Sequence, residues 1–293
     1  MNRREEKDGD VPREAWFGKT PSQVWEGDDA VRIETEVQRA LDGEVVDTVA
    51  PWMPPGVHEY LRTICFPIPR AGKPPLVGGL SINVTPQVEA EAEIRRQAER
   101  LRRTVEGAVL AMSLVVETRD PYTAGHERRV SELATAIAKD MGMAGEALTA
   151  LRLAGLIHDI GKIAVPAEIL SKPGRLSQVE FHLIKQHPGS GFDILAVIDF
   201  GHPVAEMVLQ HHERLDGSGY PRGLAGEDIL PEARILAVAD VVEAMSSHRP
   251  YRAALGMEAA LAEVRAHAGV KYDAEVVATC VRLVEEQGFA FTP

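Results

Sequence analysis

The chain has 293 residues, 45% of them hydrophobic and 26% charged, and its 44 acidic against 32 basic side chains give a net charge of −12. One domain takes roughly 100 to 200 residues, so the length reads as two domains with at least one sizeable core and excludes a tiny stapled scaffold. An acidic chain without a basic stripe has nothing to neutralise a phosphate backbone, which excludes duplex DNA or RNA as the expected partner and leaves small phosphorylated ligands open.

In chain order, Val57 to Ile68 and Leu76 to Val84 read as β-strands, with Ala71, Gly72, Lys73, Pro74 and Pro75 as the turn between them, a hairpin feeding a helix. The helix is the neutral, Arg/Glu-laced stretch that follows. Its apolar positions Ile94, Ala98, Leu101, Val105, Ala108, Met112 and Val115 alternate steps of four and three, a heptad seam. Such a seam implies a long helix that pairs with another, and Glu91 with Arg95 and Glu99 with Arg103 add pairs on its flanks. A single amphipathic helix packed on its own domain is the alternative. From Leu114 onward, helical patterns broken by Pro/Gly loops make the larger half all-α. One helix start is explicit: Ser177 and Glu180 form a capping box, and that helix is expected to end at His187, before Pro188.

The two cysteines, Cys65 and Cys280, form no disulfide framework and point to a reducing compartment. The opening MNRREEKDGD has no apolar signal core, and the longest apolar stretch, Val109 to Val116, is far short of the roughly 20 residues a membrane span needs. The expectation is a cytoplasmic protein without membrane insertion.

Chemistry concentrates in polar clusters inside apolar helices. In LRLAGLIHDIGK, His158 and Lys162 continue the helical stripe of Leu151 and Ala154, so His158 and Asp159 are expected to face inward. A buried imidazole beside a buried carboxylate needs a partner, and a divalent metal suits both, although a His-Asp dipeptide alone is a weak signal. His211 and His212 precede a Gly-rich loop near a helix C-terminus, where a cap or a solvated pair is the competing reading. Asp240 is a lone acid among Ile235, Leu236, Val238, Ala239 and Val242, and needs a cation or hydrogen bonds. With His126 and His187 added, seven ligands at separate helix ends suit two metals, a recurring device for phosphoester hydrolysis. Lys162, Arg249 and Arg252 are the cations available to a phosphate, with surface solvation the alternative for the arginines.

The segments DPYTAGHERRV, LIHDIGKIAVPAEILSKPGRL, KQHP, HHERLDGSGYP and ARILAVADVVEAMSSHRPYR, in this order over about residues 112 to 265, resemble the HD-GYP branch of the HD phosphohydrolase superfamily. The resemblance implies an all-helical fold, a centre commonly of iron or manganese, and hydrolysis of cyclic di-GMP to linear pGpG, sometimes onward to GMP. It implies His126, His158, Asp159, His187, His211, His212 and Asp240 as metal ligands, with Asp159 bridging and catalytic. It makes Lys162, Arg249 and Arg252 phosphate contacts, and Gly219, Tyr220 and Pro221 the loop bordering the guanine site. Family members with a third metal carry a glutamate where this chain has Tyr122, so two ions are expected. Glu243 and His248 stand where aspartates are common but are not ligand positions. His58, His182, His202 and His267 match nothing in the pattern and are read as structural or solvated.

LDGEVVDTV, HEYLRTICFPI and LVGGLSINVT resemble the second half of a PAS sensor domain, and an α/β dimerisation cap of no particular family is the alternative. The fold expected is therefore mostly α: a partial PAS-like α/β domain over 1–85, a coiled-coil signalling helix over 86–110, and an all-helical HD-type domain over 111–293. The function expected is a cyclic di-GMP phosphodiesterase with two divalent ions, iron or manganese, under an N-terminal sensor, homodimeric through the linker helix. A catalytically silent module that binds protein partners such as diguanylate cyclases is the alternative, although such members generally lose ligands and here every ligand position is filled.

Overall fold

A computed structural model describes residues 19–24, 28–52, 58–118, 125–172, 174–247 and 255–291. The chain divides into two compact units, Met1–Leu101 and Arg102–Pro293.

In the first unit, a short helix α1 (Pro21–Val24) and the amphipathic α2 (Asp28–Leu41) precede three strands, β1 (Val46–Trp52), β2 (Glu59–Ile68) and β3 (Leu76–Asn83). They form one antiparallel sheet in the order β1-β2-β3, with Val46 opposite Cys65 and Ile68 opposite Leu76. The expected hairpin is β2-β3; Val57 lies outside the described residues. The sequence reading took neither α2 nor β1 as an element. β1 reads VDTVAPW, and its proline is tolerated because β1 is an edge strand paired on one side only. Ala40 of α2 packs with Val46, Cys65 and Val77 in a small core.

Helix α3 (Thr85–Glu117) is continuous over 33 residues. Its seam is bare along the chain: Ile94 and Leu101 are 67% and 65% exposed, and Val105, Met112 and Val115 are exposed as well. A different stripe near its end, Val109, Ser113 and Val116, is buried, and the two valines join the core of the second unit. On the flanks, Glu91 accepts from the Gln87 amide and Arg96 pairs with Glu93.

The second unit is helical: α4 (His126–Asp140), α5 (Gly145–Ile157), a 3-10 turn (Ile160–Ala164), α6 (Ala167–Leu170), α7 (Gln178–Ile184), α8 (His187–Leu195), α9 (Val204–Gln210), a second 3-10 turn (Gly226–Asp228), α10 (Pro231–Ser246), α11 (Met257–Ala266) and α12 (Ala274–Glu285). Helices α4, α5, α9 and α10 meet around one core that includes Leu133, Ile137, Leu151, Ala154, Met207 and Leu236. None of the helices described is long and apolar enough to cross a membrane.

The structure departs from the sequence expectation at two places in this unit. The stripe from Leu151 to Lys162 is not one helix: α5 ends at Ile157, His158 caps it, and the chain tightens into the 3-10 turn that carries Lys162. The capping box at Ser177 and Glu180 is present, but its helix stops at Ile184, and His187 opens the next helix. Pro188 explains this, since proline lacks an N–H and sits well in a helix's first turn, where none is needed.

Candidate metal centre

The functional side chains lie at helix ends that the packing brings together. His126 opens α4, His158 and Asp159 close α5, His187 opens α8, His211 and His212 follow α9, and Asp240 lies within α10. Gly161 makes one of these approaches possible: a Cβ there would lie 1.9 Å from the His187 carbonyl oxygen, so only glycine lets the turn after Asp159 press against the start of α8.

Three of the imidazoles are oriented by one local device. The Nδ1 atoms of His158, His187 and His211 stand 2.9, 2.7 and 2.6 Å from the carbonyl oxygens of Gly155, Ile184 and Val208, each three residues earlier. A carbonyl only accepts, so Nδ1 carries the proton and Nε2 keeps its lone pair for the centre. His126 is held through Nδ1 by the Glu243 carboxylate, which also accepts from Arg129 Nε at 2.6 Å and Ser247 Oγ at 2.7 Å.

The free ring nitrogens converge on Asp159 and Asp240. Asp159 Oδ1 lies 3.2 Å from His187 Nε2, while its Oδ2 lies 3.8 and 3.6 Å from the Nε2 atoms of His126 and His158. Asp240 Oδ1 is 3.3 Å from His126 Nε2, and its Oδ2 is 3.8 Å from His212 Nδ1. His187 and His211 approach through their Nε2 atoms at 3.4 Å. Two groups that could hold a metal ion result, His126 with His158 and Asp159, and His187 with His211 and His212, the candidate ligand atoms of each lying within 4.8 Å of one another. The two oxygens of Asp159 face one group each.

The electrostatics suit a cation. Burial pushes His211 down to about 3 and lowers His158 and His212, which favours the neutral form of these rings. Burial alone would raise Asp159, but Lys162, His158 and His187 outweigh it and hold the carboxyl well below its ordinary range. Burial opposes ionisation of Asp240 too, and His126 and His212 overcome it. Burial disfavours the charged form of His126, yet hydrogen bonds to Asp240 and Glu243 hold it up at about 10, a sign of how much positive charge these carboxylates attract. His158 Nε2 is buried without a hydrogen-bond partner. A buried, unpaired lone pair beside ionised carboxylates is the donor set a divalent metal requires.

The loop after α9 closes one side of the site. Glu213 is buried, and its two oxygens accept from the backbone N–H groups of Arg222 and Leu224 at 2.7 and 3.1 Å. Gly219 presses backbone to backbone beneath it, since a Cβ there would lie 2.4 Å from Glu213 Cα. The Tyr220 N–H donates to the His212 carbonyl at 3.2 Å, and its ring lies 4.7 Å from the His212 ring. Pro221 follows, exposed. Lys162 reaches in from the 3-10 turn, its Nζ 2.6 Å from Asp159 Oδ2.

All seven expected ligands and Lys162 therefore come together, and Gly219, Tyr220 and Pro221 form the neighbouring loop. Arg249, Arg252, His248 and Tyr122 lie outside the described residues. His182 is exposed, while His202 and His267 are turned to Glu146 and Glu263. The sequence reading missed Glu213, and it passed over Glu243 and its clamp Arg129. Glu243 stands three residues after Asp240 on one helix, a spacing that puts both carboxylates on one face.

Residues 111–276 match the HD domain family model, and residues 1–89 match the PAS fold. Among curated proteins the chain is 40% identical over 196 residues to the cyclic di-GMP phosphodiesterase response regulator RpfG of Xanthomonas campestris pv. campestris, a match covering 65% of this chain and 50% of that protein. It is 42% identical to a cyclic di-GMP phosphodiesterase of Thermotoga maritima, covering 60% and 48%. It is 38% identical to the 3'3'-cGAMP-specific phosphodiesterase 3 of Vibrio cholerae, covering 59% and 38%. The chain thus spans about half the length or less of these relatives.

Proposed function

Because the chain belongs to the HD domain family, we propose that it is a metal-dependent phosphodiesterase that opens cyclic di-GMP to linear pGpG, with GMP as the product of a second cut. The observation that carries this reading is the pair of ligand groups meeting at Asp159, whose two oxygens each face one group. Two divalent ions, iron or manganese by family resemblance, would be held by His126, His158, Asp159, His187, His211, His212 and Asp240, and would supply Lewis acidity toward water and the phosphoryl oxygens.

The chain's own residues do the rest. Asp159 fixes the spacing of the two ligand groups. Lys162, beside it, offers N–H donors to a non-bridging oxygen, and Arg249 and Arg252 are assigned the same task by resemblance. Tyr220 walls the site on the side of His212, and with Gly219 and Pro221 it borders the guanine site by resemblance. The two molecules for which these relatives are named, cyclic di-GMP and 3'3'-cGAMP, each carry two phosphodiesters and at least one guanine.

The wider reading is a sensor over 1–85, a signalling helix over 86–110 and a catalytic domain over 111–293. The bare seam of α3 supports a homodimer through Ile94, Leu101, Val105 and Met112, because an apolar heptad edge is stable only when covered. Free Cys65 and Cys280 accord with the reducing cytoplasm.

Anaerobically purified, metal-loaded protein offered cyclic di-GMP and 3'3'-cGAMP tests the activity. Cleavage of cyclic di-GMP is expected, and Asp159→Ala should abolish it. Fully loaded wild type that cleaves neither would leave a non-catalytic module for partners such as diguanylate cyclases.

A further inference from the structure

Several of the described basic side chains of this domain are held by carboxylates. Lys162 lies 2.6 Å from Asp159, Arg129 2.6 Å from Glu243, Lys172 2.8 Å from Glu180 and Arg222 3.3 Å from Glu206. Lys185 is different. Its ammonium stands between two rings, 4.9 Å from the centroid of Phe181 and 5.1 Å from that of Tyr220, and no carboxylate among the described residues pairs with it.

The backbone beneath it is firmly placed. Lys185 caps α7, which starts at the Ser177–Glu180 capping box, and its N–H donates to the Phe181 carbonyl at 3.0 Å. It stands two residues before His187, and a single ring, Tyr220, separates its ammonium from His212, which lies 4.7 Å from that ring. A cation held by ring faces stays in place while its three N–H donors remain open to an anion.

A cyclic dinucleotide carries two phosphodiesters on opposite sides of one ring. With one of them at Asp159, the other needs a cation of its own, and Tyr220 forms the lip of the site on the side of His212. We infer that Lys185 binds this second, unreacted phosphate, with Tyr220 and Phe181 holding its ammonium at the lip. The inference rests on the phosphodiesterase reading above and makes Lys185 a specificity residue for substrates with two phosphodiesters.

The test compares wild type, Lys185→Met and Lys185→Arg. In Lys185→Met, KM for cyclic di-GMP should rise about tenfold, the size of one charge-assisted hydrogen bond, with kcat unchanged. Hydrolysis of bis(p-nitrophenyl) phosphate, which has one phosphodiester, should not change, and Lys185→Arg should recover most of the loss. Equilibrium dialysis of a slowly hydrolysed phosphorothioate analogue of cyclic di-GMP against the metal-loaded protein should give the same tenfold weakening. Equal losses on both esters, or unchanged dinucleotide affinity, would overturn the assignment. Wild type that hydrolyses neither ester would instead defeat the phosphodiesterase reading, and the dialysis result alone would then decide the role of Lys185.

Discussion

Glu213 holds the loop that carries Tyr220 by accepting two backbone N–H groups with one buried carboxylate. Replacing it with alanine leaves those donors without a protein partner, at about 2 kcal/mol of stability. Glu213→Ala should lower kcat/KM for cyclic di-GMP about tenfold while metal content stays that of wild type; calorimetry and elemental analysis separate the two. Glu180 gives a pH-dependent prediction. Hydrogen bonds from Lys172, then Ser177, hold its carboxyl at about 2 against an ordinary 4.5. The unfolded chain therefore binds the extra proton first, so the contribution is fully present above about 4.5 and is lost as pH falls toward about 2. Acid unfolding of Glu180→Gln should show a shallower loss of stability across that window than wild type. At this scale the candidate ligands were legible because histidines and acids interrupt apolar helical patterns, as in LIHD and HHER. Glu213 and Glu243 were harder, because a glutamate in a helix-rich chain ordinarily faces water, and only the fold shows these two buried.

At the scale of elements, the periodicity of α3 reads directly from its heptad steps, and the structure leaves that seam open to solvent. If two copies cover it, replacing Leu101 and Val105 with aspartate places like charges on the apolar edge and should yield monomers. Light scattering at tens of micromolar checks this, with wild type expected as a dimer. The buried stripe Val109, Ser113 and Val116 was not separable from the seam by period alone, because both run along one helix and only packing distinguishes them. β1 was hidden because Asp47, Ala50 and Pro51 are poor strand residues, and its strand character comes from pairing with β2. The break between α7 and α8 was placed three residues late, since Pro188 was read as stopping a helix when it starts one.

For the whole molecule, the expected metal content is two ions per chain, because two groups that could hold an ion are assembled and, by family resemblance, Tyr122 stands where a third ion's glutamate would be. His212→Ala should lower occupancy of one site with the helical circular dichroism signal unchanged, and His182→Ala should behave like wild type. Lys162→Ala should keep both ions and lose roughly 10² to 10³ in rate, the size expected for one electrostatic stabiliser. Elemental analysis beside steady-state kinetics checks all three variants. The all-helical domain was readable as a class because its motifs fall at helix ends, whereas the convergence of those ends depends on close approaches such as Gly161 on His187 that no local pattern encodes.

Hydrolysis in ¹⁸O-labelled water tests the central claim most directly. If water attacks phosphorus with the 3′ oxygen departing, metal-loaded protein turning over cyclic di-GMP once should give pGpG with one ¹⁸O in its 5′-phosphate by mass spectrometry, and Asp159→Ala should give no product. Absence of pGpG from fully loaded wild type, or label in the ribose rather than the phosphate, would contradict it.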